Sequence, residues 1–250
     1  MRKSVIIIVL TALCSLLIYF AHDQFQIEMI KQQDPVAAIP LDAAIIIESD
    51  DIRAEWTRLS ETSLLWSEWC NYSSIKKLNQ RFNALDSIIF SNQELADIFY
   101  KSKLLISFHP GDKNIETFSI VNAQEQLYFT FIRLIKEFGY EVKEIDVNDQ
   151  LIVSVLKSDQ PVKYLAYSEP FLMYSTSETL IYESINQLKN DYSLLDDSSF
   201  LDLNNTISPS TNLHFYVQFQ QLKRIVAFYL DNQAIERWQL GNYFDNWLEL

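Results

Sequence analysis

Glycine is almost absent: Gly111, Gly139 and Gly241 are the three in a chain of 250 residues, where average usage of about 7% would give about 17. Phosphate cradles, dinucleotide-binding turns and the nucleophile elbow all need glycines at short fixed spacings, for close backbone approach or for φ above zero. With single glycines about 28 and 102 residues apart, none of these loops can be built. The chain must turn with Pro, Asn, Asp and Ser instead, and its function must rest on something other than a glycine-rich ligand loop.

The N-terminus carries the clearest physical signal. Arg2 and Lys3 precede a charge-free run of 18 residues, Ser4 to Ala21, which as a helix is about 27 Å long and just spans a bilayer core. The first charges beyond it are acidic, Asp23 and Glu28, so the expected orientation is N-terminus inside and the rest exported. Tyr19 stands where signal-peptide cleavage wants a small residue, and Leu13 before Cys14 argues against lipidation. Residues 1–21 are therefore expected to be a signal anchor in the cytoplasmic membrane, single-pass. Residues 22–40, polar and interrupted by Pro35 and Pro40, read as a stalk, and residues 41–250 as the periplasmic domain.

Without Arg2 and Lys3 the exported part holds 18 basic and 33 acidic residues, a formal charge of 18 minus 33, or −15. Nucleic acid and anionic lipid headgroups are poor partners for such a surface. Cys14 lies in the apolar run and Cys70 in the exported part, so no disulfide forms inside the folded domain.

Ala43 to Ser49 reads as a first strand ended by Asp50-Asp51. Leu65, Trp66, Trp69 and Cys70 share a helical face, and Ile75, Leu78, Phe82, Leu85 and Ile89 form an apolar stripe at helical spacing. Ser91 to Glu94 and Asn122 to Glu125 match capping boxes, which open helices through Phe99 and through Phe138, the second stopped by Gly139. Lys103–Phe108 and Glu116–Val121 form a hairpin around Pro110-Gly111, where glycine would supply the positive φ of a type II turn.

Strands at Glu141–Val147, Leu151–Leu156, Val162–Ser168 and Phe171–Ser175 follow, separated by turn signals that indicate an antiparallel meander. A helix over Ser177–Asn190 presents Ile181, Ile185 and Leu188. The polar run 191–212 reads as loop with one helical turn at Phe200-Leu201, followed by a strand at Leu213–Val217 and a helix at Leu222–Tyr229. The expected fold is α+β, an antiparallel sheet with helices packed on one face and two subdomains allowed. Phe244 to Leu250 looks like the start of an alternating strand, so the domain is expected to be truncated at its C-terminus.

Candidate chemistry is sparse. Of His22, His109 and His214, separated by 87 and 105 residues, none has a local metal-ligand spacing. His109 is expected at an exposed hairpin tip, within reach of Asp112. Cys70 lies beside Trp66 and Trp69 as a small buried hydrophobe. The acidic pairs Asp50-Asp51 and Asp196-Asp197 read as solvated loop charge, and the run Asp191–Asp202 lacks the calcium-loop pattern. No catalytic, cofactor-binding or metal residue is assigned.

Several segments carry a family likeness: Ile39 to Ala44, Trp56 to Leu59 with Trp66, Asn83 to Ile88, Ile106 to His109, Phe171 to Ser177, Ile185 to Leu188 and Trp247 to Leu250. Together with the anchor, they resemble an uncharacterised family of membrane-anchored, exported proteins known from Bacteroidetes, a domain of unknown function. The resemblance implies a chain that continues past the Trp247 segment and implies no activity. The expected function is a non-enzymatic, membrane-tethered module that binds or scaffolds an envelope protein or glycan; the alternative is an envelope hydrolase acting through carboxylates.

Overall fold

The computed structural model describes residues 34–72, the helical positions Lys76, Asn79, Gln80, Asn83, Asp86, Ile89 and Ala96, and residues 102–112, 114–147, 150–157, 160–206, 212–229 and 247–249. The expected anchor, the capping box at 91–94 and most of the stripe from Ile75 to Leu85 lie outside these residues. Among the described residues, no helix is long and apolar enough to cross a membrane.

Among the described residues, nine antiparallel strands form one sheet. They are β1 (Ile45–Ser49), β2 (Leu104–Pro110), β3 (Ile115–Asn122), β4 (Glu141–Val147), β5 (Gln150–Lys157), β6 (Gln160–Ser168), β7 (Phe171–Ser175), β8 (Leu213–Gln218) and β9 (Trp247–Glu249). Their spatial order is β4-β5-β6-β7-β3-β2-β1-β8-β9. The meander expected over residues 141–175 is present as β4 to β7, and the expected hairpin is β2–β3, extended to the pair Pro110 and Ile115. The segment expected to begin a strand at the C-terminus is β9, paired with β8 through Trp247 and Gln218.

The described helices are α1 (Ile52–Thr62), α2 (Trp66–Trp69), α3 (Glu125–Glu137), α4 (Glu178–Asn190), α5 (Ser198–Asn204) and α6 (Phe219–Val226). They do not all pack on one face, as the sequence reading expected. Ile46, Leu105, Phe118, Ile120, Met173 and Ala166 occupy one face and are buried with Leu180, Ile181 and Ile185 of α4, Phe200 of α5 and Trp247. Val121, Leu172, Leu165, Val153 and Val155 point to the opposite face and pack against Leu127 and Tyr128 of α3. The reason is visible in the central strands, where Ile120-Val121, Leu172-Met173 and Leu165-Ala166 are consecutive apolar pairs. Period-2 geometry puts one member of each on either face, so both faces need cover.

The stalk expected over residues 22–40 ends earlier than its prolines suggested. Asp34 caps a 3-10 turn, Pro35–Ala38, by accepting from the Val36 amide. Every residue from Pro35 to Pro40 is buried. Val36, Ala38 and Ile39 belong to the main core, so this segment is a strap inserted between the sheet and α4.

Two glycines can be placed. Gly139, at φ +78°, ends α3 as expected. Gly111 is not in the left-handed region; a Cβ there would lie 2.8 Å from the Asn114 carbonyl oxygen and 2.8 Å from Glu116 Cγ. Close approach, rather than positive φ, excludes a side chain.

Between Asp191 and Asn212 the chain is more ordered than the sequence reading allowed. A 3-10 turn over Leu194–Asp196 carries a Ser193/Asp196 capping box, and α5 follows directly. The capping box expected at Asn122–Glu125 does not form: Gln124 precedes α3 without a side-chain cap bond.

Candidate functional site

The alternation on β2 places Leu105, Ser107 and His109 on the face covered by the strap and α4, and Leu104, Ile106 and Phe108 on the other. Polar side chains are thus driven into the better-buried face, and they need partners there. Ser107 Oγ lies 2.7 Å from His109 Nε2, and His109 Nδ1 lies 2.6 Å from Asp42 Oδ1. Ser107 is 0% and His109 1% exposed, while the Asp42 side chain is 36% exposed. A ring carrying its proton on Nδ1 donates to the carboxylate and accepts the Ser107 hydroxyl at Nε2, so all three groups are satisfied.

His109 is therefore not at an exposed hairpin tip, and its acidic partner is Asp42 rather than Asp112. Asp42 is 67 residues away in sequence, beyond the reach of any local spacing rule. The signal that could have found the pair is the i, i+2 spacing of Ser107 and His109 within a strand, which commits both to one face.

The order Ser Oγ–His Nε2, His Nδ1–Asp is that of a hydrolytic triad. Burial decides against the same chemistry here: the hydroxyl is closed off in mid-strand, and the relay meets solvent at the carboxylate end. As it stands, the arrangement orients His109 and fastens Asp42, and with it the strap, to the sheet.

Two more carboxylates face this point. Glu116 on β3 is the register partner of His109. Glu183 on α4 lies among the same groups; burial first, then the charge of Asp42, raises its carboxyl above the ordinary range, with Glu116 adding to this and His109 opposing it. One turn further along α4, the Gln187 amide accepts from Leu41 N at 3.2 Å and donates to the Ile39 carbonyl at 2.8 Å. The strap is thus held at its 39–42 corner by α4 on one side and β2 on the other.

A second polar group joins β1, β8 and Lys103, the residue just before β2. Glu48 Oε1 pairs with Lys103 Nζ at 2.5 Å, and the Tyr216 hydroxyl donates to Glu48 Oε2 at 3.0 Å. His214 is the register partner of Glu48 and is itself buried, with its ring 6.4 Å from that of Tyr216. Burial acts to lower the Lys103 ammonium, but the hydrogen bond and charge of Glu48, with Asp34 and Asp50 behind them, overcome it and hold the group above its ordinary value.

The other candidates from sequence do not converge. His22 lies outside the described residues. Cys70 is half-buried rather than fully buried. The acidic pairs serve as helix caps more than as solvated charge. Asp51 accepts from Ala54 N, Asp196 from Ser193 N, and Asp197 from Ser199 N and Phe200 N. Among the described residues, no group of three or more His, Cys, Asp or Glu is arranged to hold a metal ion.

The shared face expected at 65–70 is not a buried one. Leu64 is 94% and Tyr72 68% exposed, with Leu65, Trp69 and Leu59 exposed beside them. Trp66 props this lobe from beneath, edge-on to Trp56 at 5.3 Å and to Trp69 at 6.5 Å.

No family model and no curated protein matches the chain. Among solved structures it is similar to TP0453. Crystal form I aligns at TM-score 0.38 and 12% identity, over 74% of this chain and 62% of that one. Crystal form III aligns at TM-score 0.39 and 13% identity, over 74% and 63%. The chain spans under two thirds of the length of that protein, and the likeness is too distant to carry a function.

Proposed function

We propose that this chain is a non-enzymatic, membrane-tethered module whose domain lies in the periplasm and docks another envelope protein through the lobe at residues 59–72. The observation that carries this reading is the group Leu64, Leu65, Trp69 and Tyr72, exposed together on a domain that is otherwise strongly acidic. Rigid aromatics backed by packed tryptophans are the side chains that anchor protein interfaces. Aliphatic Leu64 and Leu65 at the crest fit an apolar groove of a protein better than a glycan, whose hydroxyls need polar partners. The tether is the run Ser4–Ala21, and the orientation follows from Arg2 and Lys3. The chain is read as a member of the exported family it resembles.

The test is site-specific photo-crosslinking in intact envelopes, with the probe at position 64 or 72 of the full chain and a control probe at exposed Glu141. A defined protein adduct from 64 and 72, absent from 141 and lost in a Trp69→Ala background, is the expected result. No adduct, or the same adducts from all three positions, refutes the docking reading.

A carboxylate hydrolase is the second reading, and Glu183 supports it: its carboxyl is raised by burial next to Asp42, the pairing a general acid requires. Hydrolysis of envelope glycan by the full chain, abolished by Glu183→Gln and by Asp42→Asn, would establish it. Activity unchanged in both variants would end it.

A further inference from the structure

We propose that the partner docked at residues 59–72 is a second copy of this chain, and that the two copies meet lobe to lobe about a twofold axis. The inference rests on the docking reading above and names its occupant. Its starting point is what the lobe lacks. α1 buries a single residue, Glu55, whose carboxylate pairs with Arg58, and α2 buries none. Helices of 11 and 4 residues are too short to persist on propensity alone and are ordinarily stabilised by burying an apolar face. Here that face, formed by Leu59, Leu64, Leu65, Trp69 and Tyr72, is exposed. The lobe is half of a helical layer, and a second α1–α2 pair laid against it supplies the other half.

The area is sufficient. At exposures from 36 to 94%, the five side chains present roughly 600 Å², so two lobes bury about 1,200 Å² between them, where specific interfaces begin. The patch also has few other matches on a second copy. Outside the lobe, no stretch of 14 residues among the described ones exposes more than two large hydrophobic side chains.

Charge points the same way. Residues 52–81 hold five basic and three acidic groups, a formal charge of 5 minus 3, or +2. The rest of the exported part holds 18 minus 5, or 13, basic groups and 33 minus 3, or 30, acidic ones, a charge of −17. Two copies meeting through any other surface bring strongly acidic bodies together, whereas contact between lobes keeps those bodies apart. A lobe set against a different surface of its partner would leave one apolar face uncovered and propagate into open chains; lobe to lobe closes at two. The tether fits this symmetry. A twofold axis along the membrane normal keeps both N-termini on the membrane side, and sharing one membrane raises the effective concentration of each copy for the other.

Two full-length copies with different epitope tags, expressed together, decide the matter when one carries the photo-crosslinking probe at position 64. The expected adduct has twice the monomer mass, carries both tags and is lost when both copies bear Trp69→Ala. An adduct that contains a different protein and not the second tag overturns this inference and leaves the docking reading standing; no adduct overturns both. Sedimentation of the full-length chain in detergent supplies the second measurement. Leu64→Glu, at a position 94% exposed in the single chain, should leave circular dichroism unchanged and weaken the dimer more than about tenfold, while Glu141→Lys should not weaken it. A wild-type chain that stays monomeric throughout the micromolar range overturns the proposal. So does a dimer equally tight in Leu64→Glu, since some surface other than the lobe then holds it.

Discussion

Replacing Glu48 by Gln should cost about 2 kcal/mol, and the loss should shrink above about pH 10.5. Gln keeps the volume of Glu and can still accept from Tyr216, so packing is nearly unchanged. What is removed is the anion facing Lys103 at 2.5 Å. Breaking a fully buried ion pair by neutralising one partner costs about 3 to 5 kcal/mol, because the other charge is left unpaired. Glu48 meets that description at 7% exposure, but Lys103 is 34% exposed and its flexible stem can carry the ammonium toward water. Roughly half the full cost remains, about 2 kcal/mol. For a domain of this size that is a fall in Tm of roughly 4 to 8 °C.

The pH dependence identifies the cause. Lys103 is held above its ordinary value of about 10.5 in the folded protein. A group raised in the fold contributes stability that is fully present below its unfolded value and is lost as pH rises through its folded value. The difference between wild type and Glu48→Gln should therefore be flat from pH 6 to pH 9 and close at higher pH. Thermal melts of both proteins, compared at each pH so that other titrations cancel, give the measurement. A difference below about 0.5 kcal/mol at pH 7, or one that stays constant beyond pH 11, would refute the reasoning, since either result means that the pair is not what is being lost.

The two glycines should respond differently to alanine. Gly139→Ala meets nothing within 4 Å and carries only the strain of φ +78°, about 1 kcal/mol by chemical denaturation. Gly111→Ala meets the Asn114 carbonyl at 2.8 Å, a backbone atom that must shift, and should lose more. Asp197→Ala should cost about 1 kcal/mol through its cap on α5. Burial raises the Asp197 carboxyl, but hydrogen bonds from Ser199 and Phe200 outweigh this and lower it below 3.8. Its contribution is thus present above that value and lost as pH falls through the depressed range, so acid melts of wild type and Asp197→Ala should converge. Gln187→Ala frees both the Ile39 carbonyl and the Leu41 amide, and should lower stability by about 1 to 3 kcal/mol.

The strand order of the meander was open to sequence reasoning because its turns are local: each hairpin needs only the few residues between two strands. The same reasoning misplaced His109, which it set at an exposed hairpin tip and which lies buried on β2. Leu104, Ile106 and Phe108 look like the buried set and are half-buried, while Leu105, Ser107 and His109 are the buried ones. Burying a serine and a histidine is tolerable only because Asp42 arrives from 67 residues upstream, and a pairing across that distance leaves no periodic trace. The strap was misread for a related reason. Pro35 and Pro40 break helices and so look like linker, yet a proline lacks the N–H that makes buried irregular backbone expensive.

These two misreadings meet at one place. A segment with no ladder of its own was packed over the most polar positions of a central strand, and each explains the other. The strap needs polar anchors because it has little backbone pairing to hold it: the Ala43 and Ala44 amides bond to Pro40 and Phe108 carbonyls, and Gln187 must supply the bonds at Ile39 and Leu41. Ser107 and His109 in turn need a cover that brings a carboxylate, which an apolar helix face would not supply. An all-apolar β2 under the strap would bury as much surface but would lose the His109 hydrogen bond that fixes Asp42. The polar corner is therefore what sets the strap's register over the sheet. For that reason His109→Leu, close in size and fully apolar, should loosen residues 39–44 in hydrogen exchange even if the melting temperature barely moves.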